Sequence, residues 1–271
     1  MQKGYQSIPI DNILYSCGSK MQRQTEQFVD VHVLGYVLSG ELHFTTSEGT
    51  RIAKAGSFSL IKRNQLVKAT KVPPQDGEFR SISIFLNQDI LRRYSTEYII
   101  EPSGKHIEAG FFEIPPDPFV KAYFGSLQPY FETPDRLTPS LTELKTKEAI
   151  ELLLTVSPKV KDVLFDFSEP HKIDLEAFMQ QNYMFNVSID TLAKLTGRSR
   201  AGFKRDFGKI FRTTPGQWLK QKRLQEAYHL IKDKGIKPSN AYLDVGFENL
   251  SHFSNAFKQA YGLNPSALHS Q

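Results

Sequence analysis

The hydrophobic pattern changes its period partway along the chain. Over residues 31–86, short segments that alternate apolar and polar residues are separated by glycine turns, and in the last of them Ile82, Ile84 and Leu86 occupy alternate positions. A period of two is typical of β-strands, and short strands at regular spacing predict a sandwich or a small barrel. From residue 171 onward the pattern is helical almost throughout.

The C-terminal region is predicted to contain six helices. Their predicted bounds are 173–183, 188–195, 199–210, 215–233, 238–244 and 250–260. The pair Thr214-Pro215 is a strong start signal, because a hydroxyl can cap the helix and proline suits the first helical position. Gly235 fits the end of that long helix.

The region between these two parts also contains helical patterns. Residues 87–99 predict a short helix, and residues 139–157 predict a longer one with an apolar stripe made of Leu141, Leu144, Ala149, Leu152 and Leu153. The stripe fits either a dimer interface or a cover over the strands, and the pattern leaves both open. Because residues 168–170 read as a linker, we expect two domains, 1–168 and 169–271.

Charge is distributed unevenly along the chain. Residues 171–271 contain 15 Lys or Arg and 8 Asp or Glu, whereas residues 1–170 contain 19 and 21. A basic third indicates an anionic partner. No run of about 18 apolar residues predicts a membrane span. The first 17 residues do not resemble a secretory signal, and the single Cys17 excludes an internal disulfide, so we expect a cytoplasmic protein.

Two segments of the basic region, 188–209 and 238–259, resemble each other. Both run as helix, glycine, short turn and helix, and they differ by one residue in the turn. A glycine there permits the left-handed backbone that such a turn needs. Each glycine is followed by two phenylalanines that share one face of the second helix: Gly197, Phe203 and Phe207 in the first segment, and Gly246, Phe253 and Phe257 in the second.

A helix that is anchored through its phenylalanine face leaves the opposite face for a partner, and the DNA major groove admits an α-helix. The candidate base contacts are Arg200, Ala201, Lys204 and Arg205 in the first segment and Leu250, Ser251, Ser254 and Asn255 in the second. Phosphate contacts position a protein without specifying sequence. The candidates for this role are Lys209, Arg212, Lys220, Lys222 and Arg223. The alternative is a pair of helical hairpins that pack for stability alone.

Residues 171–271 resemble the DNA-binding domain of the AraC/XylS family of bacterial transcription regulators. The resemblance is carried by "SIDTLAKLTGRSRAGFKRDF", "TPGQWLKQKRLQEAYHLI" and "VGFENLSHFSNAFKQAYGLNPSAL". It implies two helix-turn-helix units joined by a long helix, about 215–233, with their recognition helices in successive major grooves of promoter DNA. It also implies RNA polymerase as a partner, and it favours an activator while leaving a repressor open.

Five positions depart from the family pattern. The family usually has an apolar residue, often Ile, at Pro238, another Ile at Ala241, and a small Ala at Tyr242, where the tyrosine requires local repacking. Arg212 replaces a common glycine, and we expect it to extend the first recognition helix. Asn255 stands where many members carry arginine, which favours a contact to adenine.

Residues 31–86 resemble the cupin-like barrel of many members of this family. Such a domain implies sensing of a small-molecule or protein effector, or formation of a homodimer. Candidate pocket residues are Tyr36, Leu38, His43 and Phe58, although these side chains could simply fill the barrel. Ten residues lie between His32 and His43 and no His-x-His occurs, so we expect no metal and no other cofactor.

The expected fold is therefore an α+β multidomain chain, with an N-terminal cupin-like β-barrel and flanking helices and a C-terminal all-α domain containing two helix-turn-helix units. The expected function is that of a sequence-specific transcriptional regulator. Two alternatives stay open at this point. One is an enzyme built on the barrel, against which the absence of any nucleophile-base motif counts. The other is a non-specific architectural DNA-binding protein.

Overall fold

The computed structural model describes residues 6–23, 28–101 and 109–269. By its internal contacts the chain divides into two compact units, Met1–Ser168 and Glu169–Gln271. None of the helices in the described residues is long and apolar enough to span a membrane. Residues 1–5, which belong to the segment used to predict the lack of a secretory signal, lie outside the described residues.

Eleven strands lie in the described part of the N-terminal unit. They are β1 (Gln6–Ile10), β2 (Ile13–Gly18), β3 (Phe28–Val29), β4 (His32–Ser39), β5 (Glu41–Thr46), β6 (Gly49–Lys54), β7 (Phe58–Ile61), β8 (Gln65–Leu66), β9 (Lys68–Val72), β10 (Phe79–Leu86) and β11 (Phe111–Ile114). Strands β4 to β10 confirm the predicted β region. Strands β1, β2, β3 and β11 lie outside that region and were not predicted.

Four α-helices and two single-turn 3-10 helices, Pro134–Arg136 and Pro158–Val160, lie in the described part of the N-terminal unit. The α-helices are α1 (Gln88–Glu97), α2 (Pro118–Glu132), α3 (Pro139–Val156) and α4 (Lys161–Leu164). The first three begin at side chains that accept hydrogen bonds from backbone N–H groups, namely Asn87, Asp117 and Thr138. Such caps satisfy donors that the first helical turn leaves unpaired, and they explain why these helices begin where they do.

A six-stranded antiparallel sheet forms the centre of the unit, in the order β1-β2-β10-β4-β7-β11. Successive side chains of a strand point to opposite faces, and both faces are covered. Leu34 and Tyr36 of β4 belong to a core shared with the helices, whereas Val33 and Val37 belong to a second core. That second core contains Phe44 of β5, in the three-stranded sheet β6-β5-β9.

These sheets do not close into a barrel, which corrects the expectation of a cupin-like barrel. Among the described residues, the edge strands β1 and β11 each pair with one neighbour, and a barrel requires its edges to pair. The chain changes sheets at Gly40, between β4 and β5, with a left-handed φ of 82°. A Cβ at Gly40 would collide with the carbonyl oxygen of Val72. The α+β two-domain layout is confirmed.

Helix α3 buries most of the predicted stripe, together with two threonines that the apolar pattern did not include. Thr142, Thr146, Ala149, Ile150 and Leu153 are buried, and most of them belong to the core against the sheet. Thr142 and Thr146 are tolerated there because their hydroxyls donate to carbonyls one turn earlier, Thr138 at 3.1 Å and Thr142 at 2.8 Å. By contrast, Leu144 of the predicted stripe is 61% exposed. The structure thus favours a cover over the sheet.

The C-terminal unit is helical throughout its described residues. It contains α5 (Leu175–Asn182), α6 (Ile189–Leu195), α7 (Arg200–Phe211), α8 (Pro215–Lys232), α9 (Pro238–Asp244), α10 (Leu250–Tyr261) and the short α11 (Pro265–His269). The six predicted helices are confirmed to within two residues at each end. One core holds α5 to α7 against the start of α8, and another holds α9 to α11 against the rest of α8.

Candidate nucleic-acid interface

Two helix-turn-helix units lie in the C-terminal unit. Helices α6 and α7 are separated by four residues, and α9 and α10 by five. This difference confirms the one-residue change of turn length inferred from the two sequence segments. Helix α10 repeats α7 in register, because Phe253 and Phe257 follow Phe203 and Phe207 at a constant offset.

A glycine with positive φ shapes each turn. Gly197 has φ 63° and Gly246 has φ 96°, in the region that side chains other than glycine rarely adopt. Close packing imposes a second constraint. A Cβ at Gly197 would collide with the backbone of His171, and one at Gly246 would lie 2.5 Å from the carbonyl oxygen of Met184. Both turns therefore require glycine for conformation and for space.

Each second helix is capped at its start. The Ser199 hydroxyl accepts from the N–H of Gly202 at 3.2 Å and so begins α7. The Asn249 side chain accepts from the N–H of Ser251 at 2.8 Å and so begins α10. Ser and Asn are favoured at this position for that reason.

The phenylalanines anchor one face of each helix in the core. Phe203, Phe207, Phe253 and Phe257 have no exposed surface. The ring of Phe207 lies 5.9 Å from that of Trp218 in α8, which ties α7 to the long helix. Because a helix has only one face in the core, the opposite faces of α7 and α10 remain available to a partner.

The outward face of α7 is basic. Arg200, Ala201, Lys204 and Arg205, the predicted base contacts, are all exposed. Arg200 lies 3.2 Å from Asp190, and Arg205 lies 3.4 Å from Asp206. Exposed ion pairs contribute little to stability, so Arg200 can exchange Asp190 for DNA. The guanidinium of Arg205 is itself exposed, and its partner Asp206 also lies 3.2 Å from Arg198, so Arg205 can likewise turn to DNA.

The outward face of α10 is close to neutral. The predicted contacts Leu250, Ser251 and Asn255 are exposed, with Leu250 at 40%, whereas Ser254 is half-buried. His252, which sequence reasoning did not single out, is exposed on the same helix with its ring 5.8 Å from that of Phe247. The two helices therefore offer different chemistry to DNA, one cationic and one mainly hydrogen-bonding and apolar.

The predicted phosphate contacts fall into two groups. Lys209, Arg212 and Lys220 are exposed. Lys222 is half-buried, with its Nζ atom 2.7 Å from Glu226 and 5.3 Å from the centre of the Tyr183 ring. Part of its charge is thus neutralised within the protein.

Arg223 has a structural role, which corrects its prediction as a phosphate contact. It is 9% exposed, and its guanidinium donates to the carbonyls of Tyr183 at 2.7 Å, Phe185 at 2.8 Å and Gly246 at 3.1 Å. Burial lowers the pKa of Arg223 to about 10. The first two carbonyls lie between α5 and α6, and the third lies in the turn of the second unit, so Arg223 joins both units to α8.

Arg198 is a second structural arginine that sequence reasoning missed. Its guanidinium donates to the carbonyls of Ile173 and Thr196 and lies 3.2 Å from Asp206. This hydrogen bond to Arg198 holds the pKa of Asp206 below its usual value. Arg198 and Arg223 both count toward the basic excess of the sequence, yet neither is directed to a partner. The sequence offers no local signal for this, because an arginine's burial depends on distant backbone carbonyls.

Arg212 ends α7 instead of extending it, contrary to expectation. It adopts a left-handed conformation with φ 52°, and its N–H donates to the carbonyl of Gly208. Gly262 holds the corresponding position after α10, with φ 77° and the same type of hydrogen bond to Lys258. The glycine that is common at the first position is thus a conformational preference, and here an arginine adopts the same geometry.

The four predicted effector contacts are not brought together around one space. Tyr36 and Phe58 stack at 4.5 Å, and Phe124 of α2 lies 5.1 Å from Tyr36. Leu38 packs at the margin of the same core, whereas His43 lies on the three-stranded sheet, where its Nε2 is 2.8 Å from Glu41. The assignment of these residues to an effector stays a prediction.

Two family models match separate parts of the chain. Residues 32–164 match the family described as the ExsA N-terminal regulatory domain, and residues 192–271 match a helix-turn-helix domain family. The chain is 22% identical to the HTH-type transcriptional regulator ExsA of Pseudomonas aeruginosa, over 85% of this chain and 83% of that protein. It is 25% identical to the virulence regulon transcriptional activator VirF of Yersinia enterocolitica, over 46% and 47%.

A solved structure of an apo ToxT variant from Vibrio cholerae covers 96% of this chain and 97% of its own, with 11% identity and a TM-score of 0.48. A β-rich domain followed by paired, glycine-hinged helix-turn-helix units defines a DNA-binding transcriptional regulator with a regulatory N-terminal domain. The matched relatives are regulators of transcription and not enzymes. The chain belongs to the AraC family of transcriptional regulators.

Proposed function

We propose that this regulator activates transcription by placing α7 and α10 in successive major grooves of promoter DNA. The observation that carries the proposal is the matched construction of the two helices. Each is capped at its start, each is anchored by two fully buried phenylalanines, and each leaves an exposed face. Arg223 joins both units to one long helix and so favours a fixed spacing between them.

In this proposal α7 reads mainly guanine. Arg200, Lys204 and Arg205 can donate to the O6 and N7 atoms of guanine, and Ala201 can contact a thymine methyl group. In α10, Asn255 can pair with adenine, Leu250 can contact a thymine methyl group, and Ser251 and Ser254 can donate to either kind of base edge.

The backbone contacts are assigned to exposed cations. Lys209, Arg212 and Lys220 are exposed and can reach phosphates, while Lys222 would first have to exchange its contact with Glu226. Each phosphate contact adds to the salt dependence of binding but not to sequence preference.

The partners beyond DNA are also part of the proposal. An activator must contact RNA polymerase, and the N-terminal unit would convey an effector signal, either a small molecule or a protein. A homodimer is compatible with the fold, although α3 uses its buried face within its own unit. We propose no enzymatic activity and no cofactor. The described residues contain no group of three or more His, Cys, Asp or Glu placed to hold a metal.

The test is selection of bound duplexes from a random pool, followed by affinity measurements with the Arg205→Ala variant. If Arg205 reads a base, affinity for the selected duplex falls by about 1–3 kcal/mol and the preference at one position relaxes. If it contacts a phosphate, all sequences weaken similarly and the salt slope falls by about 1. Lys234→Ala is the control, because it removes an exposed charge from the turn after α8.

Three outcomes contradict parts of the proposal. A pool that yields no motif, with random and selected duplexes bound equally at one stated salt concentration, indicates an architectural DNA-binding protein. Unchanged binding by Arg205→Ala removes the role assigned to that residue. Stoichiometric metal in the purified protein would revive the enzyme alternative.

A further inference from the structure

The N-terminal unit contains a partly enclosed cavity of about 190 Å³. It lies between the β1–β2 turn, α1 and α3, and its lining consists of Asp11, Asn12, Ile90, Arg93, Tyr94, Pro139, Glu143, Thr146 and Lys147. Water needs only about 10–15 Å³ by the same measure. The cavity therefore has room for a small organic molecule, although it is smaller than the pockets that hold drug-sized ligands.

The interior space that the sequence suggested for an effector is filled. The rings of Tyr36, Phe58 and Phe124 lie within 5.7 Å of one another. A neighbouring gap beside Leu34 and Ile114 measures about 10 Å³. A small effector of this unit therefore fits the cavity at α1 and α3 better than the predicted pocket.

Some charged groups of the cavity wall form ion pairs within the protein, and others do not. The Nζ atom of Lys147 lies 2.7 Å from Glu97 and 3.6 Å from Glu143, so one ammonium group is shared between two carboxylates and this group stays negative. Asp11 and Arg93 are exposed, and neither forms an ion pair within the described part of the chain. The carboxylate of Asp11 and the guanidinium of Arg93, both on this wall, thus remain available to a ligand.

The neutral polar groups of the wall add hydrogen-bonding capacity. The Asn12 amide donates to the carbonyl of Phe85 at 3.0 Å and to Thr146 at 3.1 Å, which fixes this part of the wall. The Tyr94 hydroxyl is buried and makes no hydrogen bond of good geometry. Burial raises the pKa of Tyr94, and the neighbouring Glu151 raises it further.

We propose that this cavity binds a small zwitterion, a free amino acid, with its carboxylate at Arg93 and its ammonium at Asp11. Ile90 and Pro139 supply an apolar wall for a short side chain. The binding itself is independent of DNA recognition. Its regulatory meaning rests on the proposed function, in which the N-terminal unit conveys an effector signal.

The experiment is thermal unfolding of the full-length protein with each common L-amino acid in turn. At a concentration one hundred times its Kd, a bound amino acid should raise the Tm by about 5–10 °C. Its N-acetyl derivative, which lacks the ammonium group, and its amide, which lacks the carboxylate, should leave the Tm unchanged.

Two variants and one matched control locate the site. Arg93→Gln and Asp11→Asn should abolish the Tm shift while they fold normally, because both side chains are exposed and asparagine tolerates the left-handed φ of 52° at position 11. Arg92→Gln removes a neighbouring charge that lies over the Phe167 ring, outside the cavity lining, and should retain the shift.

The proposal is overturned if no amino acid raises the Tm, if the shift survives both cavity variants, or if the N-acetyl derivative binds equally well. A second readout, affinity for the selected duplex with and without the amino acid, tests the regulatory part. A change of several-fold that Arg93→Gln abolishes supports it, and no change overturns it. Because the unliganded cavity variants should bind DNA normally, failure here leaves the DNA-binding proposal intact.

Discussion

Replacing Arg223 by methionine tests whether one buried cation holds the two helix-turn-helix units together. The substitution keeps a long side chain but removes the donors to three carbonyls, those of Tyr183, Phe185 and Gly246. A buried acceptor without a partner costs about 1–3 kcal/mol. Water that reaches the carbonyls would reduce this cost. So would removal of the buried charge, whose burial lowers the pKa of Arg223 to about 10. We therefore expect a loss of about 3–5 kcal/mol in the free energy of unfolding.

The assay is urea unfolding together with affinity for the duplex selected from the random pool. Affinity should fall more than stability alone explains, because two units that lose their fixed spacing bind a tandem site less well. Arg223→Lys keeps the charge without the planar fork of donors, so we expect an intermediate loss of stability. It is also the variant to measure if Arg223→Met fails to fold. Arg205→Met is the matched control, since the same change at an exposed position should alter stability by about 0.5 kcal/mol or less.

Two results would refute the reasoning. One is an Arg223→Met protein whose unfolding free energy lies within about 1 kcal/mol of the wild type, which is below the cost of leaving the carbonyls unpaired. The other is a folded Arg223 variant that binds tandem and single half-sites in the wild-type ratio. That ratio would show that the spacing of the units does not depend on this residue.

Two further predictions concern the conformation after α7 and the response of stability to pH. Arg212→Gly should stabilise the protein by about 1 kcal/mol, because a left-handed residue other than glycine is strained. Gly262→Arg should destabilise it by a similar amount, and equal urea midpoints for the wild type and both variants would contradict this. Burial lowers the pKa of His32 to about 3, helped by the neighbouring charge of Arg63, so between pH 6.5 and 3 the unfolded chain binds a proton that the folded protein does not. As the pH is lowered through this window, the free energy of unfolding should therefore decrease by about 1.4 kcal/mol per pH unit. Urea unfolding between pH 7 and 5 should show a smaller decrease for His32→Gln, and the wild-type decrease for the exposed control His229→Gln. Identical pH slopes in the wild type and both variants would be inconsistent with the assignment.

Local signals account for the parts of the fold that sequence predicted well. The long helix was predicted over 215–233 and spans Pro215–Lys232, and its Thr214 hydroxyl caps it as expected. Helix α9 has its predicted bounds, 238–244. Caps, glycine stops and apolar spacing operate within a few residues, so they can be read without knowledge of the rest of the chain.

The parts that sequence did not predict depend on distant contacts. Nothing near Gly40 indicates that the chain changes sheets there, because the constraint comes from the carbonyl of Val72. The buried threonines of α3 are likewise set by the sheet beneath them rather than by the spacing of its leucines. In the candidate site, residue type distinguishes cations from neutral groups, but only the fold separates buried Arg223 from exposed Arg205.

Because α7 and α10 are in constant register, each outward position of α7 has an equivalent position in α10. Arg200, Lys204 and Arg205 occupy the places that Leu250, Ser254 and Asn255 occupy in the second copy, above the same phenylalanine scaffold. The residues proposed to contact bases are thus separate from the phenylalanines that hold each helix against its core. A few surface side chains would then determine which half of an operator each unit binds, and evolution could exchange them without disturbing either core.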